Sequence, residues 1–243
     1  MKTGTIYGLG VGPGDPDLVT VRAAKVLERA RYVAFFRKAG GTGRARSIVA
    51  GYLGDQAEDL PLEYPVTTEI PHTDPRYQAL MLAFYEESTA KVCALADRGH
   101  DVVVICEGDP FFFGSFMHLY DRFPTNARVE VVPGITSMSA AWTLTGIPVT
   151  RGTEVLTVLT GIDTEAELTR RMRQTDALVV MKVGRQLPKV RRALHEAGLT
   201  ERAWLVEYAT MPQQRVHRLT DLPDAHAAPY FSIVIVHGQA GQR

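Results

Sequence analysis

Gly8-Leu9-Gly10-Val11-Gly12-Pro13-Gly14-Asp15-Pro16 lies between two different hydrophobic patterns. The apolar run over residues 5–11 predicts a strand, and the apolar spacing over residues 18–30 predicts a helix. Glycines allow positive φ and let a backbone approach a ligand closely. In α/β folds, ligands bind outside the carboxyl ends of strands. The stretch therefore indicates an α/β fold whose first strand ends at a candidate ligand site.

These glycines do not fit the dinucleotide fingerprint Gly-x-Gly-x-x-Gly that follows the first strand of nicotinamide-binding folds. Counted from Gly8, the third glycine position holds Pro13, and counted from Gly10 it holds Asp15. The second predicted strand, residues 32–36, is not followed by the acidic residue that binds a ribose. A glycine-rich turn without a dinucleotide is the better interpretation.

Strand and helix patterns continue along the chain. Further strands are predicted at residues 32–36, 101–107, 128–132, 154–160, 177–183, 203–207, 215–219 and 230–237, and helices at 44–52, 75–98, from about 136, 165–174 and 187–197. Residues 55–75 contain four prolines and are expected to form a long surface loop. The last two strands have no helix between them and are expected to be antiparallel. The sequence predicts two α/β domains, residues 1–122 with a mostly parallel sheet and residues 123–243 with a mixed sheet.

Two further loops follow predicted strands. Glu107-Gly108-Asp109-Pro110 follows residues 101–107 and leads into Phe111-Phe112-Phe113. Either Asp109 caps a helix and the phenylalanines are core, or the acidic groups bind a polar ligand beside an aromatic wall. Pro133-Gly134-Ile135-Thr136-Ser137 follows the strand at 128–132. Thr136 or Ser137 suits a helix cap, and the same helix N-terminus offers free amides to a ligand.

Composition excludes several classes of protein. The 27 basic residues equal the 27 acidic ones, which argues mildly against nucleic acid as a partner. The two cysteines and seven histidines show no metal-ligand spacing, so no protein-bound metal is expected. No apolar run approaches the roughly 18 residues that span a bilayer, and a strand pattern begins at once, so a cytoplasmic location without membrane association is expected.

The order and spacing of the three loops resemble those of the tetrapyrrole (corrin/porphyrin) methylases, over nearly the whole chain. Val206-Glu207-Tyr208-Ala209-Thr210 and Gln213-Gln214-Arg215-Val216 are similar to late motifs of that family. Residues 4–13 and 112–119 resemble a branch that acts on corrin precursors. Glu107 also points to this branch, because the uroporphyrinogen methylases usually carry a second glycine there.

The resemblance implies a homodimer that methylates a tetrapyrrole with S-adenosylmethionine bound in a cleft between the two domains. The implied cofactor contacts are Pro13, Glu107, Gly108, Asp109, Phe112, Thr136, Ser137, Met181, Lys182 and Ala209. Lys182 departs from the methionine common in the uroporphyrinogen methylases, which puts a packing role of that side chain in doubt. A general base is expected among Glu107, Asp15 and Tyr208. Substrate contacts are expected at Gly12, Gly14, Arg37 and Arg44, because arginines bind the many carboxylates of a tetrapyrrole.

Several alternatives stay open at this point. Lys38 and Arg46 accompany the two arginines around residues 40–43, and all four cations are equally consistent with solvated surface charge. The substrate is either metal-free or loaded with cobalt. Other branches of the superfamily methylate RNA or protein side chains. A non-catalytic dimeric α/β ligand-binding module is a further possibility, although all four motif segments are intact.

Overall fold

The computed structural model describes residues 3–67, 69–71 and 73–239. The chain divides into two compact units, Met1–Thr136 and Ser137–Arg243. The sequence indicated a boundary between residues 122 and 123. The first unit extends further because a strand at Val129–Val132 pairs with the first strand of the chain.

The first unit contains a parallel sheet of five strands, which confirms the prediction of a mostly parallel sheet. Its strands are β1 (Ile6–Gly10), β2 (Tyr32–Lys38), β3 (Glu58–Tyr64), β4 (Val102–Cys106) and β5 (Val129–Val132), in the order β3-β2-β4-β1-β5. All four pairings are parallel. The helices are α1 (Val21–Glu28), α2 (Arg44–Ile48), α3 (Pro75–Asp97) and α4 (Phe116–Tyr120).

The central strand β4 is buried on both faces, which explains its uninterrupted apolar sequence. Val103 and Ile105 pack in the cluster that includes residues of α1, whereas Val102 and Val104 pack in the cluster that includes residues of α3 and α4. Helices therefore cover both faces of this sheet, and the edge formed by the carboxyl ends of its strands carries the loops.

Strand β3 corrects the prediction of a surface loop over residues 55–75. Four prolines hid the strand pattern, yet Leu62 is buried in the core between them. Pro61 is tolerated because β3 pairs only with β2 and so lies at the edge of the sheet. Thr68 and His72 of the same stretch lie outside the described residues.

The second unit contains a mixed sheet of five strands, which confirms that prediction. Its strands are β6 (Leu156–Thr160), β7 (Ala177–Met181), β8 (Ala203–Glu207), β9 (Arg215–Arg218) and β10 (Ser232–Val236), in the order β6-β7-β10-β8-β9. The helices are α5 (Ser137–Leu144), α6 (Glu165–Met172) and α7 (Leu187–Glu196).

The expectation that β9 and β10 are antiparallel to each other is wrong. Each is antiparallel to β8, on opposite sides of it, so the two run in the same direction. The chain crosses β8 between them and inserts β10 beside β7. All five residues of β10 are buried, as a central strand requires.

Side-chain caps fix where several helices begin. The hydroxyl of Thr20 accepts a hydrogen bond from the Ala23 N–H at the start of α1. Thr164 caps α6 in the same way, and the Asp74 carboxylate accepts from the Arg76 N–H at the start of α3. Such caps satisfy amides that the first turn leaves without helical partners.

Gly8 of β1 lies against the ring of Phe116, which is fully buried in α4. A Cβ at Gly8 would come within 2.3 Å of two ring carbons. The strand can therefore carry only glycine here while Phe116 keeps its place.

We predict that Gly8→Ala lowers the free energy of unfolding by about 1–3 kcal/mol, because the added methyl overpacks the core. Urea unfolding measures the effect. Gly51→Ala is the matched control, since no heavy atom lies within 4 Å of a Cβ there. Phe116→Leu should cost less stability in the Gly8→Ala background than in the wild type, and simple additivity would contradict the contact.

Candidate functional site

Three predicted site loops meet at the carboxyl edge of the first sheet. They follow the neighbouring strands β4, β1 and β5, whose carboxyl ends lie side by side because the strands are parallel. The Val11 N–H donates to the Cys106 carbonyl at 2.9 Å. Gly12 and Gly108 exchange a pair of backbone hydrogen bonds with N···O distances of 2.8 and 3.4 Å. The first two loops are thus joined by their backbones.

Three glycines allow these loops to touch. A Cβ at Gly134 would lie 2.0 Å from the Gly108 carbonyl oxygen and 2.8 Å from the Gly10 Cα. A Cβ at Gly10 would lie 2.5 Å from the Gly134 nitrogen. Since the obstacles are backbone atoms, a side chain at Gly10 or Gly134 would force the loops apart. We call Gly10, Gly108 and Gly134 the glycine contact.

The Asp109 carboxylate ties two of the loops together. Its Oδ1 accepts from the Phe111 N–H at 2.9 Å, and its Oδ2 accepts from the Gly134 N–H at 3.1 Å. The first bond closes the turn that starts the aromatic segment. The prediction that Asp109 caps a helix is wrong, because the next helix, α4, begins only at Phe116 and has Ser115 at its N-cap position. The second bond, which the sequence did not indicate, holds the loop after β5 against the loop after β4.

The aromatic run does not enter the core, so that alternative is wrong. Phe111 and Phe113 keep 46% and 43% of their surface exposed, whereas Phe116 is fully buried. Phe113 has a left-handed backbone with φ of 56°, and its ring packs edge to face on Phe112 with 4.8 Å between centroids. The segment therefore presents apolar rings to solvent beside Asp109.

Glu107, the predicted catalytic carboxylate, directly follows β4 and its side chain is exposed by surface area. Even so, the surrounding protein desolvates the carboxyl and raises its pKa, while the Arg44 guanidinium and a hydrogen bond from the Ala45 N–H act in the opposite direction. Two residues predicted separately, Glu107 and Arg44, therefore act on each other.

The other cations near residues 40–43 have carboxylate partners within the first unit. Arg37 pairs with Glu63 at 2.7 Å, and Arg46 pairs with Asp59 at 2.7 Å. Lys38 pairs with Glu69 at 2.8 Å. Since exposed ion pairs contribute only about 0–1 kcal/mol, such a cation can exchange its partner for a ligand carboxylate at little cost.

The first loop has a structural role for each of its predicted residues. Gly12 and Gly14 both have positive φ, of 80° and 158°, and Pro13 between them is buried. The Asp15 carboxylate accepts a hydrogen bond from the Asp17 N–H at 2.9 Å and so caps one turn of 3-10 helix. Neither this cap nor the positive φ values test the predicted contacts with substrate.

The remaining predicted residues belong to the second unit. β7 and β8 run in the same direction on either side of β10, so their carboxyl ends lie at one edge. Met181 ends β7, and Lys182 after it has φ of 55°. Tyr208 follows β8 with φ of 49°, and Ala209 is buried. Ser137 begins α5, directly after Thr136.

Sequence reasoning missed one polar pair beside these residues. Glu207, the last residue of β8, is buried, and its Oε1 lies 2.7 Å from Nε2 of His226. In the sequence, Glu207 stands out only as part of a motif, and the histidines only by their lack of metal-ligand spacing. The one available signal was a carboxylate at the end of an apolar strand.

Within the residues that the structure describes, no group of three or more His, Cys, Asp or Glu side chains has an arrangement suited to a metal ion. No helix there has both the length and the apolar character needed to cross a bilayer. The absence of a protein-bound metal stays a prediction.

The model of one protein family, the Tetrapyrrole (Corrin/Porphyrin) Methylases, matches residues 5–223. The chain belongs to this family. Precorrin-2 C(20)-methyltransferase of Sinorhizobium sp is 48% identical over 235 residues, which cover 97% of this chain and 96% of that protein. Cobalt-precorrin-2 C(20)-methyltransferase of Salmonella typhimurium is 34% identical over 239 residues, 97% of each chain.

A solved tetrapyrrole methylase has the same fold. Uroporphyrin-III C-methyl transferase from Thermus thermophilus, complexed with S-adenosylhomocysteine, superimposes with a TM-score of 0.65 and 23% sequence identity. The match covers 96% of this chain and 97% of that one. It confirms the predicted architecture of two α/β domains.

We predict that Asp109→Ala lowers the free energy of unfolding by about 2 kcal/mol or more, since two amides lose a charged acceptor. Asp109→Asn keeps one acceptor oxygen and should lose about half as much. Urea unfolding measures the stability. Hydrogen exchange of the Gly134 amide should quicken in both variants and stay unchanged in the exposed control Asp55→Asn. Unaltered Gly134 exchange in Asp109→Ala would contradict the tie between the loops.

Proposed function

We propose that this protein is an S-adenosylmethionine-dependent C-methyltransferase that methylates C20 of precorrin-2 and yields precorrin-3A in cobalamin biosynthesis. One observation carries the proposal: 48% identity, across almost all of both chains, to a protein named for that reaction. The intact loops at the carboxyl edge of the first sheet support it, because ligand sites of α/β folds lie there.

The residues present are compatible with the cofactor. Glu107 and Asp109 offer carboxylates to a cation, and Phe111 and Phe113 offer exposed rings. The residues proposed to bind it are Pro13, Glu107, Gly108, Asp109, Phe112 and Thr136 in the first unit, and Ser137, Met181, Lys182 and Ala209 in the second. When bound, S-adenosylmethionine supplies an already activated methyl group.

The chain itself has little acid-base chemistry to perform. Its main task is to align two reactants, an effect that alone accelerates reactions strongly. Methylation of a meso carbon also requires that the hydrogen on that carbon leave as a proton. We assign the role of proton acceptor to the Glu107 carboxylate, because its raised pKa makes it a stronger base than an ordinary glutamate. Asp15 and Tyr208 stay alternative candidates.

The substrate carries many carboxylates, which calls for cations at the site. Arg44 and Arg37 are proposed to bind them, with the backbone of Gly12 and Gly14 at the rim. Arg44 would then serve two purposes, since its charge also keeps the pKa of Glu107 from rising further. Arg37 would exchange its ion pair with Glu63 for a substrate carboxylate.

Several finer features belong to the same proposal. The active protein is a homodimer in the cytoplasm, and it holds no resident metal. It binds neither nucleic acid nor membrane. The balanced charge of the chain supports the absence of a nucleic-acid partner.

A cobalt-loaded substrate is the second candidate. The relative named for cobalt-precorrin-2 matches at 34% identity over the same share of this chain. The relative from Sinorhizobium is named for precorrin-2 and not for its cobalt complex, and it is more similar to this chain. This comparison favours precorrin-2 as the substrate.

The deciding experiment incubates the protein with methyl-labelled S-adenosylmethionine and either precorrin-2 or its cobalt complex, side by side. We expect one label at C20, located by NMR, and faster turnover of the metal-free substrate. Faster turnover of the cobalt complex would assign the second candidate. Binding of S-adenosylhomocysteine without any turnover would instead support a non-catalytic ligand-binding module, and label at another carbon would refute the C20 assignment.

We predict that Glu107→Gln lowers kcat on the order of 100-fold, because the amide cannot accept the proton. In the wild type, kcat should fall as pH falls through the raised pKa of Glu107, since only the ionised carboxylate is a base. The variant should lack this acidic limb. Glu130→Gln, at an exposed ion pair with Arg22, is the control and should keep the wild-type profile.

A further inference from the structure

The Glu207–His226 pair differs from the other ion pairs of the chain in its burial. The Glu207 side chain is 3% exposed and that of His226 is 20% exposed. A carboxylate so far from solvent needs a hydrogen-bond partner, and His226 Nε2 provides one at 2.7 Å. The proposed reaction leaves both groups without a chemical role. A role for the pair must therefore follow from where the two residues lie in the fold.

Glu207 directly precedes the segment that we propose to bind the cofactor. Tyr208 and Thr210, on either side of Ala209, have left-handed backbones with φ of 49° and 62°. Residues other than glycine adopt this conformation only where the surrounding structure enforces it. The Tyr208 N–H donates to the Phe231 carbonyl at 2.8 Å, and the Thr210 N–H donates to Oε1 of Gln214 at 2.9 Å.

His226 belongs to the crossover from β9 to β10, which is fastened at both ends. Arg191 of α7 donates to the carbonyls of Leu222 and Pro223, each at 2.9 Å. The Ser232 hydroxyl donates to the Pro229 carbonyl at 2.7 Å. His226 is therefore attached to a braced segment and not to a free loop.

Two tethers join the end of β8 to that braced segment. One is the Glu207–His226 hydrogen bond, and the other is the bond from the Tyr208 N–H to the Phe231 carbonyl. The two hydrogen bonds hold consecutive residues, Glu207 and Tyr208. Together they fix the direction in which the backbone leaves β8. Without the Glu207–His226 hydrogen bond, Tyr208 can relax from its left-handed conformation toward an ordinary backbone conformation.

We propose that Glu207 and His226 are positioning residues that hold Tyr208 and Ala209 in the conformation that receives S-adenosylmethionine. The proposal rests on the proposed function for the identity of the ligand. In this proposal, Glu207 and His226 support the backbone that binds the cofactor and do not contact the reacting atoms. Loss of the pair should therefore weaken cofactor binding and leave the chemical step nearly intact.

The first test compares His226→Ala with His226→Gln, whose amide retains a donor for Glu207. His226→Ala should raise the KM for S-adenosylmethionine and the Kd of S-adenosylhomocysteine about tenfold, with kcat within about twofold, since the strained backbone is no longer enforced. His226→Gln should recover most of the affinity. His195→Ala, at an exposed position of α7, is the matched control.

The double variant Glu207→Leu with His226→Leu separates positioning from stability. It leaves no buried charge behind, so folding is expected to be retained even if His226→Ala alone fails to fold. Positioning predicts that the double variant is stable yet binds S-adenosylhomocysteine about tenfold more weakly. A stable double variant with wild-type affinity would overturn the proposal.

Hydrogen exchange of the Tyr208 and Thr210 amides tests the same claim without ligand. Both amides should exchange faster in the double variant than in the wild type, and unchanged exchange would overturn the proposal. A wild type that does not bind S-adenosylhomocysteine would refute the proposed function instead. Exchange at the two amides would then decide the positioning claim by itself.

Discussion

The contact among Gly10, Gly108 and Gly134 is the constraint on which the candidate site depends. Three strands of a parallel sheet end side by side, but their loops converge only because no Cβ separates the backbones. The Gly12–Gly108 backbone bonds and the Asp109 carboxylate then hold the loops in that approach. Polar backbone and acidic groups are gathered at one edge before any ligand is present, and ligand binding has less ordering to accomplish.

The loops at the strand ends of the two units reach their backbone conformations by different means. In the first, glycines supply the close approach and, apart from Phe113, the positive φ values of the site loops. In the second, Lys182, Tyr208 and Thr210 adopt left-handed backbones although each carries a side chain. Glycines adopt these conformations with little strain, whereas residues with side chains are strained in them. The loops of the second unit therefore need stabilising contacts such as the Tyr208–Phe231 hydrogen bond.

The sequence predicted the features that depend on neighbours along the chain. Periodicity identified most strands and helices, because it depends on residues only a few positions apart. Features that depend on distant partners were missed. The unit boundary moved because β5 pairs with β1, and β3 was hidden by prolines that only an edge strand tolerates.

The features of the candidate site divide in the same way, into those that the sequence predicted and those that depend on distant partners. The resemblance to a family located the loops, and their glycines and acidic residues stand where expected. No pattern could show that Asp109 reaches Gly134, that Arg44 acts on Glu107, or that Glu207 meets His226. Each of these interactions joins segments that only the folded topology brings together.

The place of β10 in the second sheet bears on how the chain folds during synthesis. This strand is made after β6 to β9, yet it lies between β7 and β8 and supplies the only strand that pairs with both among the described residues. Until residues 232–236 leave the ribosome, β7 and β8 each present an unpaired edge of apolar sequence. In the first unit β4 is likewise made after β1 and β2 and lies between them, but the last strand of that sheet ends at Val132, so the first unit can form while the second is still being translated. Unpaired strand edges are templates for aggregation, so the edges of β7 and β8 stay exposed to this hazard until the second sheet closes.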